Sequence, residues 1–397
     1  MGTLRRIALA YQIAIPHQER MTWGILAYAR RHGPWQFAFG PEANPVSVHS
    51  LADWDGDGVI AMAESRSQLE VFRQLSCPVV NLSSAIRETG LPTVTSDNHA
   101  IGRLAAEHLL ERGFQRFGYY GLTDVWYSQE RQRGFVERIG QAGHPCDVLL
   151  TTSSLHADRP WLWDRSELEG WLGGLEHPVG VMAAHDYRAR MVQEVCQRLE
   201  LKLPDDVAVV GVNDDPVACE SADPPLSSVR QEGQTIGAEA ARLLDRLMAG
   251  TRVRERSLAI APGPVHARKS TETLAINHPT LRKAVTIIHR QLDRRLGTDE
   301  VAKRCNVSRR WLERLFRVHL GMSPHDFIAR ERVGKAKELL ERDPPLKLAD
   351  IARRCGFNDA RRLNIVFQRA SGLSPRNYRA TRATTDKETS VGDEPQN

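Results

Sequence analysis

The carboxyl-terminal part of the sequence contains one pattern twice, and this repeat limits the folds open to that region. The letters VAKRC at 301–305 match IARRC at 351–355 at an offset of 50 residues. Five further pairs match at an offset of 51, namely Leu312, Phe316, Gly321, Ser323 and Pro324 with Leu363, Phe367, Gly372, Ser374 and Pro375. The region is therefore an internal repeat in which each copy is one supersecondary unit, with one extra residue near a turn.

Each copy predicts a short helix, a tight turn and a longer helix. In the first copy, Thr298 can cap the short helix and Ser308 the longer one, because hydroxyl oxygens accept hydrogen bonds from free backbone N–H groups. Asn306 and, in the second copy, Gly356 stand at the turn, where a left-handed backbone is needed. The apolar positions of the first copy fall on one face of each helix: Val301, Ala302, Cys305, Leu312, Leu315 and Phe316. This pattern is typical of a helix-turn-helix.

Positive charge is concentrated in the repeat. Residues 281–380 hold 24 Lys+Arg against 11 Asp+Glu, whereas residues 1–280 hold 28 against 34. A local excess of this kind indicates a polyanionic partner, and the repetition of the arrangement argues against a merely solvated basic surface. The candidate DNA-contacting residues, which could meet base edges and phosphates, are Ser308, Arg309, Arg310, Arg314 and Arg317 in the first copy and Asn358, Arg361, Arg362, Asn364, Gln368 and Arg369 in the second.

The repeat resembles the DNA-binding domain of AraC-type transcription activators. The resemblance rests on two helix-turn-helix units within about 100 residues and on the runs IARRCGF, GMSPHDFIARER and GLSPRNYR. It implies a long helix between the units, and residues 323–340 have the length and apolar spacing for one. It also implies two recognition helices in successive major-groove segments, so that one subunit reads two sites about one helical turn, roughly 10 bp, apart.

The residues before the repeat alternate short apolar runs with amphipathic helical stretches. The runs RRIALAY, DGVIAM, CPVVNL, RFGYYG, VGVMAAH and VAVVGVND are typical of buried parallel strands, and residues 18–31 and 101–112 have helical patterns. This alternation predicts a doubly wound α/β fold. A segment of this length is large enough for two lobes.

Polar residues just after the apolar runs are candidates for ligand binding, because the carboxyl ends of parallel strands border the crevice in such folds. We expect Arg131, Asp186 and Asp214 to face one ligand from opposing lobes. The alternative is that a carboxylate at a strand end only caps the next helix and that a tryptophan near a loop is only core. The candidate ligand-binding residues are Tyr11, Ser83, Trp126, Tyr127, Arg131, Asp186, Asn213, Asp214 and Gln231.

The order of these runs, the segment VTSDNHAIGRLAAEHLLERG and the run HARKSTE resemble LacI-type and periplasmic sugar-binding folds. The resemblance implies two lobes, three crossings of the chain between them, and a sugar in between. A fixed arginine, carboxylates and amides can hydrogen-bond several hydroxyls, while an aromatic face covers the ring. The chain departs from the proteins that it resembles at two places. Residues 213–215 read Asn-Asp-Asp where those proteins more usually have Asp-Asn, and the loop around Trp126 is shorter than theirs. The identity of the sugar therefore stays open.

The order of the two regions along the chain narrows the class of protein that we expect. LacI-type repressors carry their helix-turn-helix at the amino end, whereas this chain has its helix-turn-helix pattern after the α/β region. We therefore expect a sensor domain at 1–275, a DNA-binding domain at 276–380 and a disordered polar tail at 381–397. The resemblance implies a sugar-responsive DNA-binding regulator, an activator of pentose (D-xylose) utilisation. The alternative is an AraC-type regulator that responds to another sugar or small polar metabolite.

Other classes of protein are disfavoured by missing motifs. Six cysteines make no CxxC pair and the histidines no HExxH, so no metal is expected and the thiols suit a reducing cytoplasm. There is no P-loop, no GxGxxG after a strand and no GxSxG, which argues against an enzyme and a cofactor. The first residues form neither a signal peptide nor a membrane span, which argues against an exported sugar-binding transport component. The expected partners are an operator in double-stranded DNA, a sugar, RNA polymerase and a second copy of the chain.

Overall fold

The computed structural model describes residues 4–38, 48–152, 165–251, 257–272, 278–294, 296–341 and 346–379. They belong to two compact units, Met1–Ala275 and Ile276–Asn397. The tail at 381–397, which the composition predicts to be disordered, lies outside the described residues.

The first unit is an α/β structure whose strands and helices alternate along the chain. Its described strands are β1 (Arg5–Ala10), β2 (Trp35–Ala38), β3 (Gly58–Ala61), β4 (Val79–Asn81), β5 (Thr93–Ser96), β6 (Phe117–Leu122), β7 (Cys146–Thr151), β8 (Val179–Ala183), β9 (Val207–Val212), β10 (Ser227–Val229), β11 (Ser257–Ile260) and β12 (Val265–His266). Its described α-helices are α1 (Pro16–His32), α2 (Arg66–Gln74), α3 (Asn98–Leu110), α4 (Trp126–Gln141), α5 (Ser166–Gly174), α6 (Asp186–Arg198), α7 (Pro216–Glu220) and α8 (Gly233–Met248). Short 3-10 helices cover Val48–Asp53 and Lys269–Thr271.

The strands form two sheets, and each sheet is the centre of one lobe. The amino-terminal lobe has the strand order β2-β1-β3-β4-β5-β11, and the carboxyl-terminal lobe has the order β7-β6-β8-β9-β10-β12. The strands pair in parallel, apart from the antiparallel pair of β10 and β12. The chain passes from one lobe to the other after β5, β10 and β11. The two-lobed α/β prediction and its three crossings are therefore confirmed.

The apolar runs of the sequence form the central strands, which are covered by helices on both faces. Every residue of β3, β6, β8 and β9 is buried. In the amino-terminal lobe, Ile7 and Ile25 pack on one face of the sheet and Phe72 on the other. Runs without polar alternation are what parallel strands between two helical layers require.

In the carboxyl-terminal lobe, α3 and α4 touch through their backbones. A Cβ at Gly102 would lie 2.1 Å from the carbonyl oxygen of Arg131, and a Cβ at Gly134 would lie 2.0 Å from that of His99. Both distances are shorter than any side chain allows, so these two positions admit only glycine without a shift of the helices. This contact fixes the part of α4 that carries Arg131.

The second unit is helical in its described residues and contains two helix-turn-helix motifs. Its helices are α9 (Pro279–Arg290), α10 (Thr298–Arg304), α11 (Arg309–Leu320), α12 (Pro324–Glu341), α13 (Leu348–Arg354) and α14 (Ala360–Ser371). The pairs α10–α11 and α13–α14 form the motifs, and α12 joins them as the long helix that the resemblance implied. Asn306 (φ 57°) and Gly356 (φ 71°) have the left-handed backbone that the sequence predicts at the two turns.

The two predicted helix caps of the first motif have different outcomes. The Ser308 side chain accepts a hydrogen bond from the backbone N–H of Trp311 and caps α11 as expected. The prediction for Thr298 is wrong, because Gly297 is the residue before α10 and Thr298 is the first residue inside the helix. Gly297 provides the extended backbone that precedes the helix, and Thr298 is buried.

Candidate functional site

A cleft of about 620 Å³ lies between the two lobes of the first unit. The loops after β1, β3 and β4 form one side, and the loops after β8 and β9 with the first turns of α4 form the other. The cleft is thus bordered by the carboxyl ends of parallel strands, where α/β sheets bind ligands. Its volume is in the range of small-molecule sites.

Six of the predicted ligand-binding residues line this cleft: Tyr11, Ser83, Tyr127, Arg131, Asn213 and Gln231. Gln231 connects the two crossing segments, because it accepts from the Ser96 hydroxyl and donates to the Asn213 side chain, both at 2.5 Å. The Tyr11 hydroxyl lies 2.9 Å from the Thr22 hydroxyl, and burial raises the pKa of Tyr11. These side chains offer neutral donors and acceptors.

Arg131 is the buried positive group of the cleft. Its Nε donates to Asn98 Oδ1 at 2.8 Å, its Nη1 donates to the backbone oxygen of Ala184, and its guanidinium lies 4.8 Å from the ring centre of Tyr127. Burial lowers its pKa, although nearby tyrosines oppose that shift. In the described part of the chain no carboxylate lies within ion-pair distance of Arg131, and its Nη2 has no partner. A cation held in this way is ready to donate to a ligand oxygen.

Asp186 does not line the cleft. Its carboxylate is fully buried behind the wall, where it accepts from Ser228 Oγ at 2.6 Å and from the backbone N–H of Asp215 at 2.9 Å. Burial raises its pKa to about 7. Asp186 therefore holds the turn between β9 and α7 and so positions Asp215, which does line the cleft.

Asp214 also turns away from the cleft. Its backbone is left-handed (φ 51°), and its carboxylate pairs with His266 at 2.7 Å and with Arg268 at 2.9 Å. Burial opposes ionisation, but the hydrogen bond from His266 and the charge of Arg268 hold the pKa of Asp214 at about 2. The carboxylate thus ties the loop after β9 to the segment that follows β12.

The expectation that Arg131, Asp186 and Asp214 lie on opposing lobes is wrong. All three belong to the carboxyl-terminal lobe, because the chain stays in that lobe from α3 to β10. The opposite side of the cleft is supplied by the amino-terminal lobe through Tyr11 and Ser83.

Trp126 connects the lobes and does not line the cleft. Its backbone N–H donates to the carbonyl of Ala85 at 2.8 Å, and its ring lies 4.7 Å below the Arg87 guanidinium. Ala85 and Arg87 follow β4 in the amino-terminal lobe. A second contact between the lobes is the hydrogen bond from Arg20 on α1 to the backbone oxygen of Asn213.

Several polar residues of the cleft were not predicted from the sequence: His17, Gln18, Glu64, Gln68, His185 and Asp215. Burial lowers the pKa of His17 to about 4 and that of His185 to about 3, so both imidazoles are neutral near pH 7. The rule that selects residues at the ends of apolar runs could have found Glu64 and His185, because Glu64 follows DGVIAM and His185 ends VGVMAAH. Among the described residues no cluster of three His, Cys, Asp or Glu could hold a metal ion, and no helix could span a membrane.

The carboxyl group of Asp186 should make the free energy of unfolding depend on pH. Replacing Asp186 by an uncharged residue should remove this dependence. The pKa of Asp186 is about 7 in the folded chain and exceeds the usual 3.8. Between these two pH values the folded chain therefore binds a proton at Asp186 that the unfolded chain has released. Relative to Asp186→Asn, the natural chain should therefore lose up to about 1.4 kcal/mol of unfolding free energy per pH unit from pH 4 to 7. Urea unfolding of both chains at about pH 4.5, 6 and 7.5 measures this, and parallel pH profiles would contradict it.

In the second unit, α11 presents three arginines on its exposed face. Leu312, Leu315 and Phe316 are buried, and the opposite face carries Arg310, Arg314 and Arg317 at helical spacing i, i+4 and i+7. These three guanidinium groups have no side-chain partner within the described ranges. Arg309 lies on the flank, where it pairs with Asp299 and Glu313 at 2.9 Å, and the hydrogen bond to Glu313 raises its pKa. Arg309 is thus less available to DNA than the other three.

The corresponding face of α14 has a mixed composition. Leu363 and Phe367 are buried, and the predicted DNA-contacting residues of this motif are exposed: Asn358, Arg361, Arg362, Asn364, Gln368 and Arg369. Asp359 caps the helix by accepting from the backbone N–H of Arg362. Both recognition helices therefore present several polar or basic side chains that an anionic duplex could meet.

Two parts of the chain match known domain families. Residues 106–271 match the periplasmic binding protein-like domain, and residues 301–381 match a helix-turn-helix domain. Residues 39–159 also match the family of periplasmic binding proteins and sugar binding domains of LacI type. These matches fall on the two units that the structure separates.

Curated relatives share this arrangement over most of their length. The chain is 28% identical over 330 residues to the xylose operon regulatory protein of Haemophilus influenzae, covering 81% of this chain and 84% of that protein. It is 26% identical over 381 residues to the xylose operon regulatory protein of Escherichia coli K12, covering 94% and 96%.

Solved structures support the same fold. The structure of the xylose-binding transcription activator xylR superposes with a TM-score of 0.64 at 24% identity, over 96% of this chain and 99% of that one. The transcriptional regulator CelR in complex with cellobiose superposes with a TM-score of 0.53 at 25% identity, over 67% and 84%. The chain is therefore a homologue of the xylose operon regulatory proteins, with a periplasmic-binding-protein-like domain followed by a helix-turn-helix domain.

Proposed function

We propose that the chain is a transcription regulator that binds a sugar in the cleft of the first unit and operator DNA through α11 and α14. The observation that carries the sugar site is Arg131, a buried guanidinium without a carboxylate partner among the described residues, placed where parallel strands end. Burying a charge without a partner is costly, so such a group is retained where a ligand uses it.

The chemistry of the cleft suits a neutral ligand with several hydroxyls. Arg131 supplies a charged donor, Asp215 and Glu64 supply acceptors, and Asn213 and Gln231 can do both. The neutral imidazole of His17 adds one donor and one acceptor, whereas that of His185 offers its Nε2–H donor because its Nδ1 accepts from the backbone N–H of Arg188. Tyr127 and Tyr11 offer aromatic faces for the carbon face of a sugar ring.

D-xylose is the effector we propose, because the relatives that match along most of the chain are named for the xylose operon. An alternative is another sugar, since the CelR structure, which superposes on two thirds of the chain, contains cellobiose. We further infer that the chain acts in the cytoplasm as a homodimer, and that it activates transcription with RNA polymerase.

The coupling we propose is a shift between two arrangements of the lobes. A sugar that contacts both lobes adds to the contacts of Trp126 with Ala85 and of Arg20 with Asn213, and so stabilises the form in which the lobes meet. The presentation of the two DNA-binding motifs would differ between the forms. Sugar and operator affinity would then be linked.

Sugar specificity can be tested by thermal denaturation of the full-length chain with D-xylose, L-arabinose, D-ribose, D-glucose and cellobiose. A ligand that binds only the folded state raises the melting temperature, and at a concentration 100 times its Kd it adds about 2.7 kcal/mol. We expect D-xylose to raise it most. A larger rise with another sugar would identify that sugar as the effector instead of D-xylose. No rise with any of the five sugars would contradict the sugar site.

A further inference from the structure

An apolar side chain stands at the centre of the exposed face of α14. Ile365 is 50% exposed, although the next residue, Val366, packs against the core of this motif and Phe367 belongs to it. Its nearest neighbours on the same face stand three and four residues away and are all exposed, namely Arg361, Arg362, Gln368 and Arg369. An isoleucine in this setting contributes nothing to the core of its own unit.

The internal repeat shows what stands at the same place in the other motif. At the offset of 51 residues, Arg310, Arg314 and Arg317 of α11 correspond to Arg361, Ile365 and Gln368 of α14. Each set follows the spacing i, i+4 and i+7, so both occupy the middle of the face opposite the buried side chains. In addition, Glu313 of α11 corresponds to Asn364 of α14. Two motifs with the same fold therefore carry chemically different reading faces.

These faces match different base pairs in the major groove. Arginine donates in a bidentate manner to O6 and N7 of guanine, whereas asparagine and glutamine pair with N6 and N7 of adenine. The C5-methyl of thymine is the apolar group that a major groove offers to an apolar side chain. Beside its arginines, the face of α14 thus provides the amide of Gln368 for adenine and the branched alkyl group of Ile365 for a thymine methyl.

We propose that the two halves of the operator differ at the position read from the middle of each face, where Arg314 of α11 reads a G·C pair and Ile365 of α14 contacts a thymine methyl. Gln368 contacts an adenine next to it. The two halves lie about one helical turn, roughly 10 bp, apart. This inference rests on the proposed function as a DNA-binding regulator and assigns the specificity of one of its two motifs.

The test uses duplexes that the full-length chain selects from a randomised pool. We expect selected sequences in which one half has a fixed G·C pair and the other half has a fixed T·A pair at the corresponding position. Replacing the thymine of that T·A pair by uracil removes only the C5-methyl group. The replacement should lower affinity about fourfold, as expected for one methyl group taken from water, and replacing thymines in the other half should have no effect.

Variants of the chain assign that effect to Ile365. Ile365→Ala should bind the thymine and uracil duplexes equally, whereas Val318→Ala, which removes an exposed apolar side chain from the flank of α11, should keep the fourfold difference. Ile365→Arg should select G·C at the position where the natural chain selects T·A.

The outcomes separate the inference from the proposed function. If the natural chain selects a site but binds thymine and uracil duplexes equally at every position, the role of Ile365 is overturned and DNA binding stands. If it selects no sequence at all, both the proposed function and this inference fail. The uracil comparison uses the natural chain, so it does not depend on whether a variant folds.

Discussion

Arg131→Met is expected to weaken sugar binding strongly, while operator affinity in the absence of sugar stays close to that of the natural chain. A hydrogen bond to a charged group contributes about 1.5–3 kcal/mol, so the loss of one such bond to the sugar lowers affinity about 10- to 100-fold. The bonds that Arg131 donates to Asn98 and Ala184 are lost as well. Calorimetric titration of the full-length chain with D-xylose measures the change.

The matched control is Arg188→Met. Arg188 is also a buried arginine of the carboxyl-terminal lobe, stacked on Tyr120 and bonded to Thr151, but it does not border the cleft. Its replacement should lower the melting temperature and leave sugar affinity within a few-fold of the natural value. Sugar affinity unchanged in Arg131→Met would show that the ligand lies elsewhere.

The second large effect is expected at the recognition helix α11. Replacing Arg310, Arg314 and Arg317 together by alanine should abolish specific binding, because each base contact contributes about 1–3 kcal/mol. Any of the three that contacts a phosphate should also reduce the salt slope by about 0.9. Fluorescence anisotropy with a selected duplex at several salt concentrations separates the two kinds of contact.

Arg309→Ala is the comparison on the same helix. Its guanidinium already pairs with Asp299 and Glu313, so DNA would have to displace these carboxylates before it could use Arg309. We expect a loss clearly smaller than for any single member of the exposed set. Equal losses for Arg309→Ala and Arg314→Ala would mean that the reading face of α11 has been assigned wrongly.

The fold was predictable where burial is uniform along the chain. Strands such as β8 and β9 are apolar at every position, because helices cover both faces of the sheet. The strands β5 and β10, which read TVTS and SSV, gave no such signal because most of their side chains are hydroxyls. The chain changes lobe after each of these two strands. The lobe to which each candidate residue belongs could therefore not be derived from the sequence.

The sequence predicted that the cleft lies at the ends of the strands. It did not predict which side chains point into the cleft. Asn213, Asp214 and Asp215 follow the same strand, yet only the first and third line the cleft. The direction of Asp214 depends on its left-handed backbone and on His266 and Arg268, which lie more than fifty residues further along the chain. No pattern around Asp214 indicates such distant partners.

The DNA-binding faces could be read from the sequence because the repeat and the helical period are local. Spacing alone separated the buried Leu312 and Phe316 from the exposed Arg310 and Arg314. Arg309 differs because its pairing with Asp299 reaches back to the preceding helix. Ile365 was overlooked because an apolar residue in a helix is normally assigned to the core.

The most direct test of the account is whether sugar and operator affinity are linked. The full-length chain is titrated with a selected duplex without D-xylose and with saturating D-xylose, and then with D-xylose in the presence and absence of the duplex. The account predicts that sugar changes the duplex Kd by about 5- to 150-fold and that the duplex changes the sugar Kd by the same factor. A duplex Kd that is identical with and without saturating D-xylose, in a chain that binds both, would contradict it.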